Sequence, residues 1–170
     1  DLSQVDFRAG RYSVASLEKV YTADEHRARH VLRALSERVR NPAEMRALGF
    51  CVSVKHAAFM AAFFNRHGLP AVSVTGDTPT AAREAAVKQL AAGELCAIFT
   101  VDVFNEGVDI PSVDTVLFLR PTESATLYLQ QLGRGLRLHE DKSCLTVLDF
   151  IGRANRSFRF DRRFRALMGG

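Results

Sequence analysis

Apolar positions along this chain alternate between short unbroken runs and longer segments in which they recur every three or four residues. The runs at residues 49–54, 71–74, 96–101, 115–119 and 144–150 are short and rich in Val, Ile, Leu and Phe, so each is expected to form a strand. Between them lie helical periods. Residues 55–67 place Ala58, Phe59, Ala62 and Phe63 on one face and stop at Gly68, residues 80–92 stop at Gly93, and residues 124–132 predict a further helix. Thr75-Gly76-Asp77-Thr78-Pro79 is turn chemistry. Strands apolar on both faces, with helices between them, predict parallel β-α-β units. The expected fold is therefore α/β, with a mostly parallel central sheet and helices on both faces.

The flanks differ from the centre. Residues 24–40 predict a charged helix with Val31, Leu32, Leu35 and Val39 as its apolar stripe. Residues 153–165 interleave six arginines with Phe158, Phe160 and Phe164, which predicts a packed amphipathic helix with a basic outer face. The expected organisation is a helical flanking segment over residues 1–41, a central domain over 42–152 and a basic helical extension over 153–170.

Composition narrows the class. With 170 residues, 47% of them hydrophobic, the chain has the size of one domain with a sizeable core. A net charge of +4 and a pI near 9.3 permit contact with a polyanion without requiring it. No apolar run reaches membrane-spanning length, so no membrane partner is expected. Cys51, Cys96 and Cys144 each lie in or beside an apolar run and form no C-x-x-C pair; buried free thiols in a reducing cytoplasm are expected. His26 and His30 are four residues apart but have no evident third ligand, so no metal site is expected. The chain opens on Asp1 rather than Met, which points to a piece of a longer protein.

The densest chemistry lies in Gln130-Gln131-Leu132-Gly133-Arg134-Gly135-Leu136-Arg137. Two guanidiniums three residues apart on a helix share a face and can converge on a phosphate chain, each with planar, forked donors. Upstream, Thr100-Val101-Asp102-Val103-Phe104-Asn105-Glu106 leads into Gly107-Val108-Asp109-Ile110-Pro111, a strand end followed by a turn. Open α/β sheets bind ligands at such strand ends.

Taken together, Q-x-x-G-R-x-x-R and G-V-D-I-P resemble motifs VI and V of the superfamily 2 helicases and translocases. Two weaker matches fit the same frame: Gly49-Phe50-Cys51-Val52-Ser53 resembles motif IV, and residues 76–84 resemble the family's H-G-D-x-x-x-x-x-R-E segment, with Thr75 in place of His. The resemblance covers residues 49–150 and implies a RecA-like three-layer sandwich, the second, C-terminal motor domain of a two-domain enzyme. It implies that Arg134 and Arg137 act as arginine fingers on the β- and γ-phosphates of ATP, and that Gln130 bonds the γ-phosphate or the attacking water. It also implies that Gly133 allows close backbone approach, that Gly107 permits the tight turn at the strand end, and that Asp109 meets the ribose. Nucleic-acid contacts carry over to Ser53, Thr75, Gly76, Thr100, Asn105 and Glu106. In the DEAD-box branch the contacting Thr directly precedes Asp; here Val101 intervenes after Thr100, and a one-residue offset on a strand turns the side chain to the other face.

No G-x-x-x-x-G-K-[ST] loop and no Walker B run occurs in the chain. The groups that cradle ATP and hold Mg²⁺ are therefore expected on a preceding RecA-like domain of the same polypeptide, before Asp1, and the isolated chain is expected not to hydrolyse ATP. Gln130 and the run from Phe104 to Pro111 resemble the DEAH-type helicases that include bacterial repair and restriction translocases. That favours DNA as substrate, with RNA as the alternative. The competing classes are a non-catalytic RecA-like scaffold and a stand-alone flavodoxin-like nucleotide-binding enzyme. The absence of a Gly-rich loop after the first strand disfavours the latter.

Overall fold

The computed structural model describes residues 5–8, 11–23, 25–101, 112–120 and 145–150. In chain order the elements are β1 (Phe7–Arg8), β2 (Arg11–Tyr12), α1 (Val14–Thr22), α2 (His26–Arg38), β3 (Ala47–Phe50), α3 (Val54–Arg66), β4 (Ala71–Val74), α4 (Thr80–Ala92), β5 (Ala97–Thr100), β6 (Thr115–Phe118) and β7 (Thr146–Asp149). β1 and β2 form a small antiparallel hairpin. The other five strands form one sheet in the order β4-β5-β3-β6-β7, and every pairing in it is parallel.

Helix ends follow local chemistry. Ser13 caps α1 through a bond from the Ser16 amide, and Ser53 caps α3 by accepting the His56 amide at 3.2 Å. Gly93 ends α4 in the left-handed region at φ 77°, a conformation that a β-carbon would strain.

Strand alternation divides the core into two layers. On one side α2 and α3 press Val31, Leu35, Met60 and Phe64 onto Ala47, Cys51, Ala97, Phe99 and Leu117. Phe64 meets Phe99 edge-to-face with centroids 4.8 Å apart. The Phe99 ring fills the space above Gly49, where a β-carbon would lie 2.5 Å from its Cδ1. On the other side Ala86 and Leu90 of α4 share a cluster with Leu48, Phe50, Val74, Ile98, Val116 and Phe118.

The strands at 71–74, 97–100, 115–118 and 146–149 and the helix at 80–92 lie where the apolar pattern puts them. Three features differ. The first sheet strand starts and stops earlier than expected, because Cys51-Val52-Ser53 is spent on the turn into α3. The buried face of α3 is Ala57, Met60, Ala61, Phe63 and Phe64, while Ala58 and Ala62 are exposed. Two overlapping stripes satisfied the helical period, and the one carrying Met60 and Phe64 removes more apolar surface from water. Helix α2, assigned to the flank, buries Ala28, Val31 and Leu35 in the same cluster as the sheet. The helix expected over 124–132 and the extension over 153–170 lie outside the described residues.

Candidate functional site

Parallel pairing in register brings five strand ends onto one edge. Phe50 is level with Thr100 and Phe118, Thr100 with Val74, and Phe118 with Asp149. The segments leaving β3, β4 and β5 therefore start side by side, and these carry Ser53, Thr75 and Gly76, and the run from 101 onward. The main chain extends the pairing one step further on both sides of β3. The Cys51 amide donates to the Thr100 carbonyl at 2.8 Å, and the Leu119 amide donates to the Phe50 carbonyl at 2.9 Å.

Ser53 is the N-cap of α3, so its hydroxyl oxygen already accepts the His56 amide. The carboxylate of Glu18, on α1, lies beside it. Glu18 Oε1 is 3.3 Å from Lys55 Nζ, and the Ser53 hydroxyl, together with Lys55, holds the Glu18 carboxyl below the usual carboxylate range. The first turn of α3 thus has an anion on it, where unpaired amides and the helix dipole favour one.

Beneath this turn His56 is buried, and its Nδ1 accepts the Val52 amide at 3.2 Å. That bond puts the proton of the neutral ring on Nε2. Burial, reinforced by the charge of Arg27, lowers its pKa to about 4. Tyr21 tilts against the same ring at 4.8 Å, and Arg27 lies over the Tyr21 ring at 4.7 Å. Burial raises the Tyr21 phenol to about 12.

After β4, Thr75 and Thr78 close a tight loop. The Thr75 amide donates to Thr78 Oγ1 at 2.9 Å, and the Thr78 amide donates to the Thr75 carbonyl at 3.1 Å. Arg83 ties the loop from outside by donating to the carbonyls of Thr78 and Gly76, so its role is to hold the loop in shape. A β-carbon on Gly76 would meet nothing within 4 Å. Thr100 is fully buried, and its Oγ1 has no hydrogen-bond partner. Its register partners Phe50 and Val74 belong to the α4 side, whereas Val101 packs with the α2–α3 side. The one-residue offset seen in the sequence thus puts the Thr100 side chain on the α4 side of the sheet.

Gln130, Gly133, Arg134 and Arg137, and Asn105, Glu106, Gly107 and Asp109, lie outside the described residues. Among the described residues no group of three His, Cys, Asp or Glu could hold a metal ion, and no helix is long and apolar enough to cross a membrane. Sequence reasoning missed Glu18 and Tyr21. Their signal was faint: Leu17 and Tyr21 at i, i+4 in a nine-residue helix.

Comparison with known proteins agrees with this architecture. The family described as "Helicase conserved C-terminal domain" matches residues 28–139. IRC3 of Saccharomyces cerevisiae, whose name describes an ATP-dependent helicase, is 31% identical over 89% of this chain and 22% of its own length. The ATP-dependent RNA helicase DBP4 of Coccidioides immitis is 28% identical over 88% of this chain and 20% of its own. The chain thus spans about a fifth of the length of these curated relatives. Domain 2 of the DEAD-box helicase Mss116p, solved with an RNA duplex, superposes with a TM-score of 0.53 at 22% identity, over 80% of this chain and 50% of that one. The all-parallel sheet, its aligned strand ends and the family match together make this chain a C-terminal RecA-like domain of the superfamily 2 helicases.

Proposed function

We propose that the chain is the second motor domain of an ATP-dependent DNA helicase or translocase, of the DEAH-type branch, which closes on a preceding RecA-like domain around ATP. The observation that carries this is the order of Gly107, Asp109, Gln130, Gly133, Arg134 and Arg137 inside the matched stretch, on segments that continue from the carboxyl ends of β5 and β6. The donor set suits a nucleoside triphosphate. Arg134 and Arg137 supply planar cations for the phosphates, Gln130 a carboxamide and Asp109 an acceptor for the ribose. Mg²⁺ would be held by the preceding domain, since this chain carries neither a G-x-x-x-x-G-K-[ST] loop nor a Walker B run. ATP, when bound, supplies the phosphoryl group whose developing charge the two guanidiniums stabilise.

Ser53, Thr75, Gly76, Asn105 and Glu106 line the track for one strand, which is held by its phosphates and so with little regard to sequence. The open space around Gly76 supports close approach of a backbone there. RNA is the second reading, favoured by the name of the DBP4 relative. We propose a cytoplasmic location for the protein.

The test is ATP hydrolysis by the full-length protein with single-stranded DNA, duplex DNA and RNA, beside the isolated chain. Stimulation by DNA, with the isolated chain silent, supports the motor. Stimulation by RNA alone moves the substrate to RNA. Silence with every nucleic acid favours a non-catalytic scaffold. In the full-length protein Arg137→Ala should lose turnover by about a thousandfold while ATP binding falls far less. Retained turnover removes the arginine-finger assignment.

A further inference from the structure

We propose that α1 carries a built-in competitor of nucleic acid: the Glu18 carboxylate sits on the seat that Ser53 and Lys55 present at the start of α3, and a backbone phosphate must displace it to bind. This rests on the assignment of Ser53 to the phosphate track.

Three observations carry it. First, the seat is already filled by an anion. Glu18 Oε1 lies 3.3 Å from Lys55 Nζ, over the first turn of a 13-residue helix whose N-cap is Ser53. The carboxylate pairs with the Lys55 ammonium and lies beside the Ser53 hydroxyl, a cation and a donor that a phosphate oxygen could use as well.

Second, the carboxylate is delivered by packing. Leu17 and Tyr21 of α1 are buried in one cluster with Val52, the residue just before Ser53. Glu18 follows Leu17 directly and is the sole acidic side chain of α1. Burying Leu17 and Tyr21 against Val52 therefore leaves Glu18 little choice but the rim of α3.

Third, the contact is weak enough to yield. Lys55 is exposed and Glu18 partly so, and an ion pair open to solvent on one side holds only modestly and is screened by salt. Phosphate brings a full charge and several acceptor oxygens to the same groups. The result is a brake rather than a block. Glu18 can swing aside without α1 leaving Val52.

The test is fluorescence anisotropy of labelled single-stranded DNA and RNA with the full-length protein at low salt. E18Q keeps the shape of the side chain and removes its charge. It should tighten binding roughly two- to tenfold, with the gain shrinking as salt rises. Because any lost negative charge favours a polyanion, E37Q on the exposed face of α2 serves as the reference, and its gain should be clearly smaller. K55M should weaken binding and reduce the gain from E18Q when the two are combined, since the two groups share one seat.

A gain from E18Q no larger than that from E37Q overturns the brake. If K55M still weakens binding in that case, the phosphate seat survives. If K55M and Ser53→Ala, both shown folded by their melting curves, leave affinity unchanged, the seat itself is wrong and the brake falls with it.

Discussion

His56 shows how one buried side chain can serve structure beside the proposed nucleic-acid track. Its Nδ1 takes the Val52 amide at the turn where β3 gives way to α3, so a charged ring would lose an acceptor as well as its solvation. Its folded pKa of about 4 lies below the ordinary value of 6.5, so between those values the unfolded chain binds more protons than the folded one. Stability from this group is therefore complete above about pH 6.5 and is lost as pH falls toward about 4. The full effect is on the order of 3 kcal/mol. Urea midpoints at pH 7.5 and pH 5 should differ more in the wild type than in His56→Gln, whose carboxamide can accept the same amide without titrating. Equal differences in the two proteins would assign the acid sensitivity to other groups. The same neutral ring supports Tyr21, and through it the placement of α1, so acid should loosen α1 before it loosens the sheet.

At the level of elements, the central strand β3 is limited by space as much as by hydrogen bonding. It is paired on both sides, and Gly49 gives its volume to the Phe99 ring of β5. Gly49→Ala should destabilise the fold by about 1–3 kcal/mol, and pairing it with Phe99→Leu should recover part of that loss. Thermal melts of the three variants check this, and an unperturbed Gly49→Ala would show that the ring turns aside freely. Loss of the α3 cap in Ser53→Ala should cost about 1 kcal/mol in the same assay, whatever the residue does for nucleic acid. Much of this layer was legible in the sequence, because strands buried on both faces leave continuous apolar runs and Gly93 marks a helix stop without ambiguity. The face of α3 was not legible. Ala58 and Phe59 keep the helical period as well as Ala57 and Met60 do, and only tertiary packing chooses between them. Neither was α1, since Leu17 and Tyr21 make too short a stripe to stand out until Val52 is beside them.

On the scale of the molecule, the parallel register is what turns scattered motifs into one surface. Ser53, the Thr75–Thr78 loop and the segment after Thr100 are far apart in sequence, yet they leave adjacent strands at one level. The motif spacing offers candidate nucleotide residues, Gln130, Arg134 and Arg137 among them, and these lie outside the described residues. Ser53 reads in the sequence equally as a helix cap and as a phosphate contact, and the structure makes it a cap. Thr100 stands one residue earlier than the contacting Thr of the DEAD-box motif. Shifted by one residue, its hydroxyl is enclosed in the core.

The proposed track, a helix start beside a tight loop, should bind by phosphate charge. For the full-length protein, raising salt from 50 to 200 mM should weaken oligonucleotide binding by about a hundredfold or more, while changing base sequence at fixed length should alter it by less than about tenfold. Strong sequence preference at constant salt, or affinity indifferent to salt, would mean that bases are read on this edge, and the track would then have to be sought on another face of the sheet.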